Sequence, residues 1–145
     1  MQKLVKNWEV ESHHISDINH WKTMDVAKFQ AYTNGEGPVD AATMCHVGPY
    51  NMLLGDMHDY KGSQETFTSA NDVFRETFSE GFAFEVLEVF SGPPNVSFTW
   101  RHFGRMAGPF KGCPAHGRMV NLIGHCVARV NKDLIIEELT VHYDR

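Results

Sequence analysis

Four long β segments fill the second half of the chain, and they constrain the fold more than any other feature. Apolar and aromatic residues recur along residues 82–91, 96–104, 119–130 and 134–143, and turn-forming residues separate these segments. Consecutive strands of this length predict an antiparallel meander. Because long strands twist and the sheet curls, we expect it to wrap around an apolar pocket that holds a few polar groups.

The first half of the chain predicts helices, with one strand among them. Apolar residues spaced three and four apart are typical of helices, and glycine-containing turns mark the segment ends. A capping-box pattern at Ser69–Asp72 and the glycine at position 81 delimit the last helix. The predicted segments are a helix over 4–11, a strand over 26–33, a helix over 39–47, a helical turn at 51–55, a polar loop over 56–64 and a helix that begins at 68–69. Helices followed by a meander indicate a single α+β domain over residues 1–145, with the helices on one face of the sheet.

The overall composition excludes several function classes. The chain has 145 residues and a formal charge of −5, so it can bury its own core and lacks the basic surface of a general nucleic-acid binder. No window approaches the ~20 apolar residues of a membrane span, and no cationic-then-apolar leader is visible. Cys45, Cys113 and Cys126 are odd in number and widely spaced, which fits neither a disulfide framework nor a CxxC clip. We therefore expect a cytoplasmic protein with no nucleic-acid or membrane partner.

Nine histidines raise the question of a metal site. Neither HxxxH nor HExxH spacing occurs, and the adjacent His13 and His14 would point to different faces of a helix. The helical zinc motif is therefore excluded, while a site built from distant histidines stays open. The sequence predicts no metal and no cofactor.

Strand alternation singles out His102 as the first candidate for chemistry. Val96, Phe98, Trp100 and His102 share one face of the predicted strand 96–104. An imidazole at the end of an aromatic run can act as a general acid or base if it titrates near neutrality. The alternative is a buried histidine that is hydrogen-bonded to a neighbour.

Further candidate residues come from neighbouring strands and loops. Arg101 and His125 are candidates for stabilising negative charge on a substrate, although an interfacial or surface ion pair explains Arg101 equally well. Alternation places Arg101 on the opposite strand face from His102. The predicted substrate-binding residues are Trp100, Phe98, Tyr50, His46 and Tyr143.

A series of short segments resembles one known family along nearly the whole chain. The matching segments are Leu4–Glu9, Asp25–Phe29, Asn34-Gly35, Gly48–Asn51, Gly81–Leu87, Ser91–Pro94, Arg101-His102, Gly108–Gly112, Gly117-Arg118 and Tyr143–Arg145. On these segments the chain resembles the pathogen-related protein group of the SnoaL-like polyketide cyclase family, within the nuclear-transport-factor-2-like superfamily.

That resemblance implies a cone-shaped α+β barrel, in which a curved antiparallel sheet and N-terminal helices close a central pocket and the sheet forms a homodimer. It also implies that cyclase relatives use an aspartate and a histidine in the pocket for acid/base chemistry. Those positions fall near Ala128 and Met106 in this chain, so the chain differs from the cyclase pattern there.

The sequence predicts an isomerase, lyase, dehydratase or cyclase that performs cofactor-free acid/base chemistry on a small apolar, aromatic or polyketide-like molecule. His102 would be the general acid or base, and Arg101 or His125 would stabilise an enolate. The alternatives are a non-catalytic binding protein with a stress- or pathogen-related role, and a protein-interaction module that uses the sheet face. Two titratable groups on one cavity would favour the enzyme, whereas a purely apolar cavity would favour the binding protein.

Overall fold

A curved sheet with helices packed against it forms the structure, a computed structural model that describes residues 2–15, 17–55, 61–110 and 113–144. The helices are α1 (Gln2–His14), α2 (Ala41–Val47), α3 (Pro49–Leu54) and α4 (Phe67–Thr77). The strands are β1 (Gln30–Thr33), β2 (Glu36–Asp40), β3 (Phe82–Val89), β4 (Asn95–Arg105), β5 (Met119–Val130) and β6 (Ile136–Tyr143). Short 3₁₀ turns occur at Ile18–His20 and Gly62–Gln64.

The strands form one six-stranded sheet in the order β2-β1-β6-β5-β4-β3. β1 pairs in parallel with β6, whereas the other neighbours are antiparallel. The pairing shifts register between Val86 and Glu88 and again at Arg129 and Val130, and such irregularities increase local twist. The predicted curved sheet of an α+β domain is confirmed, and the sheet is open, with β2 and β3 at its edges.

Alternation along the central strands separates an inner face from an outer face. Every second residue from Val96 to Gly104 is buried, which confirms the face predicted for Phe98, Trp100 and His102. The face of β5 that contains Cys126 also points inward. Ile136 is the exception. Strand alternation predicts that Ile136 and Leu139 lie on opposite faces of β6, but both side chains are buried because the pairing between β5 and β6 shifts register.

Helix α1 covers the inner face next to the edge strand β3. The Lys6 ammonium donates a 2.7 Å hydrogen bond to the Phe84 carbonyl. Trp8 is buried, and its indole N–H contacts the Met24 sulfur at 3.2 Å. The buried Glu11 carboxylate accepts from backbone N–H groups of the segment that follows α1. These contacts fix α1 as one wall of the cone.

Several boundaries in the first half differ from the sequence prediction. Residues 26–28 form a turn, so the predicted strand 26–33 shortens to β1. β2 was not predicted, because its Gly37-Pro38 pair is atypical of a strand. The capping box of α4 joins Thr66 and Ser69, one turn earlier than predicted, because the Thr66 hydroxyl accepts the Ser69 N–H at 3.1 Å. Residues 56–60 of the predicted polar loop lie outside the described residues.

Candidate functional site

A cavity of about 280 Å³ lies between α4, the start of β3 and the loop that follows β4. Apolar and aromatic side chains form nearly all of its wall. The lining residues are Leu54, Phe74, Thr77, Phe78, Phe82, Met106, Phe110, Cys113, Val120 and Leu122. None of these residues carries a charge at neutral pH, and the Thr77 hydroxyl already donates to the Pro109 carbonyl at 2.8 Å. We call this space the large cavity.

The loop that closes the large cavity is anchored to the end of α4. The Gly108 N–H donates to the Thr77 carbonyl at 3.0 Å, and a Cβ at position 108 would overlap the Glu76 carbonyl. Phe110 and Cys113 then exchange two backbone hydrogen bonds, at 3.0 and 2.9 Å. The backbone therefore holds Phe110 and Cys113 against the cavity.

Two smaller voids of about 30 Å³ each lie on either side of His102 and Trp100, deeper in the cone. One void is lined by Trp8, Phe84, Phe98, Trp100, His102, Cys126 and Val141. The other is lined by Tyr50, Leu54, Phe74, Phe82, Trp100, His102, Leu122 and Tyr143. The second void shares Leu54, Phe74, Phe82 and Leu122 with the large cavity. We call the second void, which shares these four residues with the large cavity and is lined by His102, the inner end of the site.

His102 is buried in an aromatic environment. Its ring stacks on Phe82, with centroids 4.1 Å apart, and meets the edge of Phe84 at 5.6 Å. Burial lowers the pKa of His102 from 6.5 to about 4, and the positive charge of Lys6 contributes in the same direction. A backbone hydrogen bond at Ala83 opposes this shift in part. The imidazole is therefore neutral throughout the physiological range.

Tyr50 is the second titratable group at this inner end. Its ring stacks on Phe74 at 4.0 Å, and its centroid lies 6.3 Å from that of His102. Burial raises the pKa of the Tyr50 phenol, and the negative charge of Glu9 adds to the shift. Tyr50 is therefore a protonated phenol, which can donate a hydrogen bond.

Arg101 does not join His102, because the alternation of β4 places it on the outer face. Its guanidinium donates to the Glu85 carboxylate, with Nε at 3.1 Å, and lies 4.1 Å from the centroid of the Phe103 ring. It makes a half-exposed ion pair, the alternative that the sequence left open. The structure corrects the arrangement in which Arg101 acts beside His102.

His125 and His46 also lie outside the cone. The His125 Nε2 is 2.7 Å from the Ser97 hydroxyl on the outer face of the sheet. His46 lies in a surface depression with Asp17 and Cys45, and none of these residues lines the three internal spaces. The sequence placed His46 at the mouth of the pocket, and the structure places it elsewhere because α2 turns this face outward.

The remaining candidates for substrate binding lie inside the cone. Phe98, Trp100 and Tyr143 line the inner voids with His102 and Tyr50. Gly124 lies opposite Trp100 on β5, and a Cβ there would overlap the indole ring. The absence of a side chain at Gly124 therefore lets Trp100 lie between the two voids.

Sequence analysis missed the residues that enclose the large cavity. Phe74 and Phe78 recur at helical spacing, which predicts a helix but not the wall of a cavity. Met106, Phe110 and Cys113 belong to an aperiodic loop, and no local pattern shows that this loop folds over an apolar space. Their apolar character in a glycine-rich loop was the one available signal.

Two general findings complete the description of the site. Within the described residues, no three His, Cys, Asp or Glu side chains lie close enough together to hold a metal ion. Of the helices that the structure describes, none is long and apolar enough to cross a membrane.

Comparison with known proteins agrees with the fold and with the predicted resemblance. A profile of the SnoaL-like polyketide cyclase family matches residues 26–145. The pathogen-related protein of Hordeum vulgare is 36% identical over 152 residues, and this chain spans 65% of that protein's length while being covered completely.

Solved structures with low sequence identity share the fold. A candidate polyketide cyclase from Acidithiobacillus ferrooxidans matches with a TM-score of 0.60 at 15% identity, over 99% of this chain and 87% of that chain. AclR, a candidate hydroxylase from Streptomyces galilaeus, matches with a TM-score of 0.55 at 14% identity, over 99% and 84% of the two chains. The predicted α+β fold with a curved antiparallel sheet is confirmed. By the profile match over residues 26–145, the chain belongs to the SnoaL-like polyketide cyclase family.

Proposed function

We propose that this chain binds a small apolar molecule in the large cavity and retains it without transforming it. The observation that carries the proposal is the wall of that cavity, in which no lining residue that the structure describes is charged and the Thr77 hydroxyl is already bonded. Enclosed apolar spaces with a few polar groups at one end are typical of ligand sites. Met106, where the resemblance places a histidine in cyclase relatives, is part of this apolar wall.

The state of His102 favours binding over catalysis. An imidazole whose pKa falls from 6.5 to about 4 holds a proton less tightly by about 3 kcal/mol. Such a group is a poor general base for a carbon acid, because an efficient base has a pKa near the working pH. A neutral imidazole remains an effective hydrogen-bonding group, so His102 orients a ligand better than it removes its proton.

Cofactor-free enzymatic activity is the second candidate, and one observation favours it. His102 and Tyr50 meet at the inner end of the site, with ring centroids 6.3 Å apart. In an isomerase, lyase or cyclase, His102 would exchange the proton and the Tyr50 hydroxyl would donate to the developing enolate oxygen. Tyr50 would then take the role that the sequence assigned to Arg101 or His125.

Assembly and location form part of the same proposal. The outer sheet face exposes Met119 and Ile123, with 59% and 60% of their surface accessible, and a second copy of the chain would cover them. Sedimentation velocity should detect a dimer that Ile123→Glu dissociates and Leu134→Glu leaves intact. A monomeric wild type would contradict this arrangement. The odd number and wide spacing of Cys45, Cys113 and Cys126 support a reducing, cytoplasmic location, and the name of the barley relative adds a pathogen-related role.

Calorimetric titration with neutral aromatic compounds of one to four rings tests the binding proposal. Val120→Trp fills the large cavity and should abolish binding, while Val26→Trp makes the same change at an exposed turn and should leave binding intact. Met106→Trp provides a second filled cavity in case Val120→Trp does not fold. Binding that survives both filled variants, or no binding by the wild type, would refute the proposal.

A second measurement separates binding from catalysis. A compound that binds the wild type is incubated with the protein, and its consumption is followed by chromatography. Consumption that stops in His102→Phe while binding persists would establish the enzyme. Retention of the unchanged compound supports the binding protein.

A further inference from the structure

We propose that the large cavity selects a neutral molecule about the size of two fused aromatic rings, with a single oxygen directed at His102. The inference rests on the proposed function and adds the size, the charge and the polarity of the ligand. The volume of the large cavity determines the size of the ligand, the lack of charged lining residues among those described determines its charge, and the void beside His102 determines its polarity.

The volume of the large cavity sets the size of the ligand. A buried cavity of about 150 Å³, lined by apolar side chains, accommodates one benzene molecule. The large cavity has about 280 Å³, so it accommodates roughly two such rings. A four-ring skeleton would need about twice that space on the same scale. The stacked aromatic side chains in the wall, including Phe78 and Phe82 with ring centroids 4.2 Å apart, favour a flat ligand.

The charges near the cone set the requirement for a neutral ligand. No described lining residue of the three internal spaces is a cation or a carboxylate. Lys6 is committed to the Phe84 carbonyl at 2.7 Å and lies 3.8 Å from the Glu9 carboxylate. An anionic ligand would lose its hydration without gaining an ionic partner, which disfavours it strongly.

The void beside His102 limits the number of polar atoms that the ligand can carry. The void beside His102, next to the large cavity, has about 30 Å³, which exceeds the roughly 10–15 Å³ of probe volume that one water molecule needs. One hydroxyl or carbonyl oxygen therefore fits beside the imidazole. Among the described residues around this void, the side chains that carry polar atoms are His102, Tyr50, Tyr143 and Trp100. A ligand with several polar atoms would have to bury the others against apolar walls.

A matched set of probes tests the inference by calorimetry at neutral pH. The set contains 2-naphthol, naphthalene, phenol, 1-hydroxypyrene and 2-naphthoate. We expect 2-naphthol to bind about tenfold more tightly than phenol and 1-hydroxypyrene, and about 100-fold more tightly than 2-naphthoate. We expect naphthalene to bind about threefold to tenfold more weakly than 2-naphthol, because it lacks the hydrogen-bonding oxygen.

The variants separate the failure of this inference from that of the proposed function. If 1-hydroxypyrene or 2-naphthoate binds as tightly as 2-naphthol, and Val120→Trp abolishes that binding, the size or charge assignment is wrong and the binding site stands. If Val120→Trp and Met106→Trp affect no probe, the site itself is wrong. In His102→Phe the preference for 2-naphthol over naphthalene should disappear, and a preference that persists would overturn the role of His102.

Discussion

Acidification from about pH 7.5 to about pH 5 should destabilise the protein through His102. Burial lowers the pKa of this imidazole from 6.5 to about 4, so between these values the unfolded chain binds more protons than the folded chain. Stability then rises with pH across this window and is lost as the pH falls. The loss attributable to His102 is about 2 kcal/mol between about pH 7.5 and about pH 5, and about 3 kcal/mol below about pH 4.

Urea unfolding of the wild type and of His102→Gln, each at about pH 7.5 and at about pH 5, measures the contribution of His102 to the pH dependence of stability. The variant should retain stability on acidification, so the two pH dependences should differ by about 2 kcal/mol even if the variant is less stable at every pH. His20→Gln is the matched control, because it makes the same substitution at a side chain that is 73% exposed. Equal losses for the wild type and His102→Gln would show that His102 is not held neutral by burial.

Three further predictions concern packing, capping and the outer face. Gly124→Ala should destabilise the protein by about 1–3 kcal/mol in urea unfolding, because the new Cβ overlaps the Trp100 ring; an unchanged midpoint would contradict the packing of that ring. Thr66→Ala removes the hydroxyl that accepts the Ser69 N–H at 3.1 Å and should cost about 1 kcal/mol, whereas Thr66→Ser should cost much less. Arg101→Ala should change stability by less than about 1 kcal/mol and leave 2-naphthol affinity unchanged, because the ion pair is half-exposed. Loss of affinity in Arg101→Ala would place that residue in the site after all.

The strands that pair over their whole length were predictable from local pattern. The predicted strand 119–130 coincides with β5, because alternation there continues without a glycine-proline interruption and agrees with burial. β2 was missed for the opposite reason, since its short, exposed Gly37-Pro38 segment has little strand character. Local sequence patterns predict strands with regular alternation well and short, irregular edge strands poorly.

The candidate site was predictable only on the sheet side. Alternation placed His102 and Trp100 on one strand face and Arg101 on the other, and the structure agrees with this separation and shows that the His102 face is the inner one. The opposite wall depends on Gly108 and Thr77, which are distant in sequence and joined by a hydrogen bond of 3.0 Å. No local pattern encodes such a contact, so the large cavity required the three-dimensional structure.

Because Trp100 packs against Gly124, the size of the side chain at position 100 can change the space available to a ligand while the sheet stays the same. The indole occupies the space between the two inner voids, and it can lie there because position 124 has no side chain. A smaller residue at position 100 would join these voids into one chamber, while the strand pairing of β4 and β5 would stay the same. On this backbone, one substitution at position 100 would therefore lengthen the space beside His102.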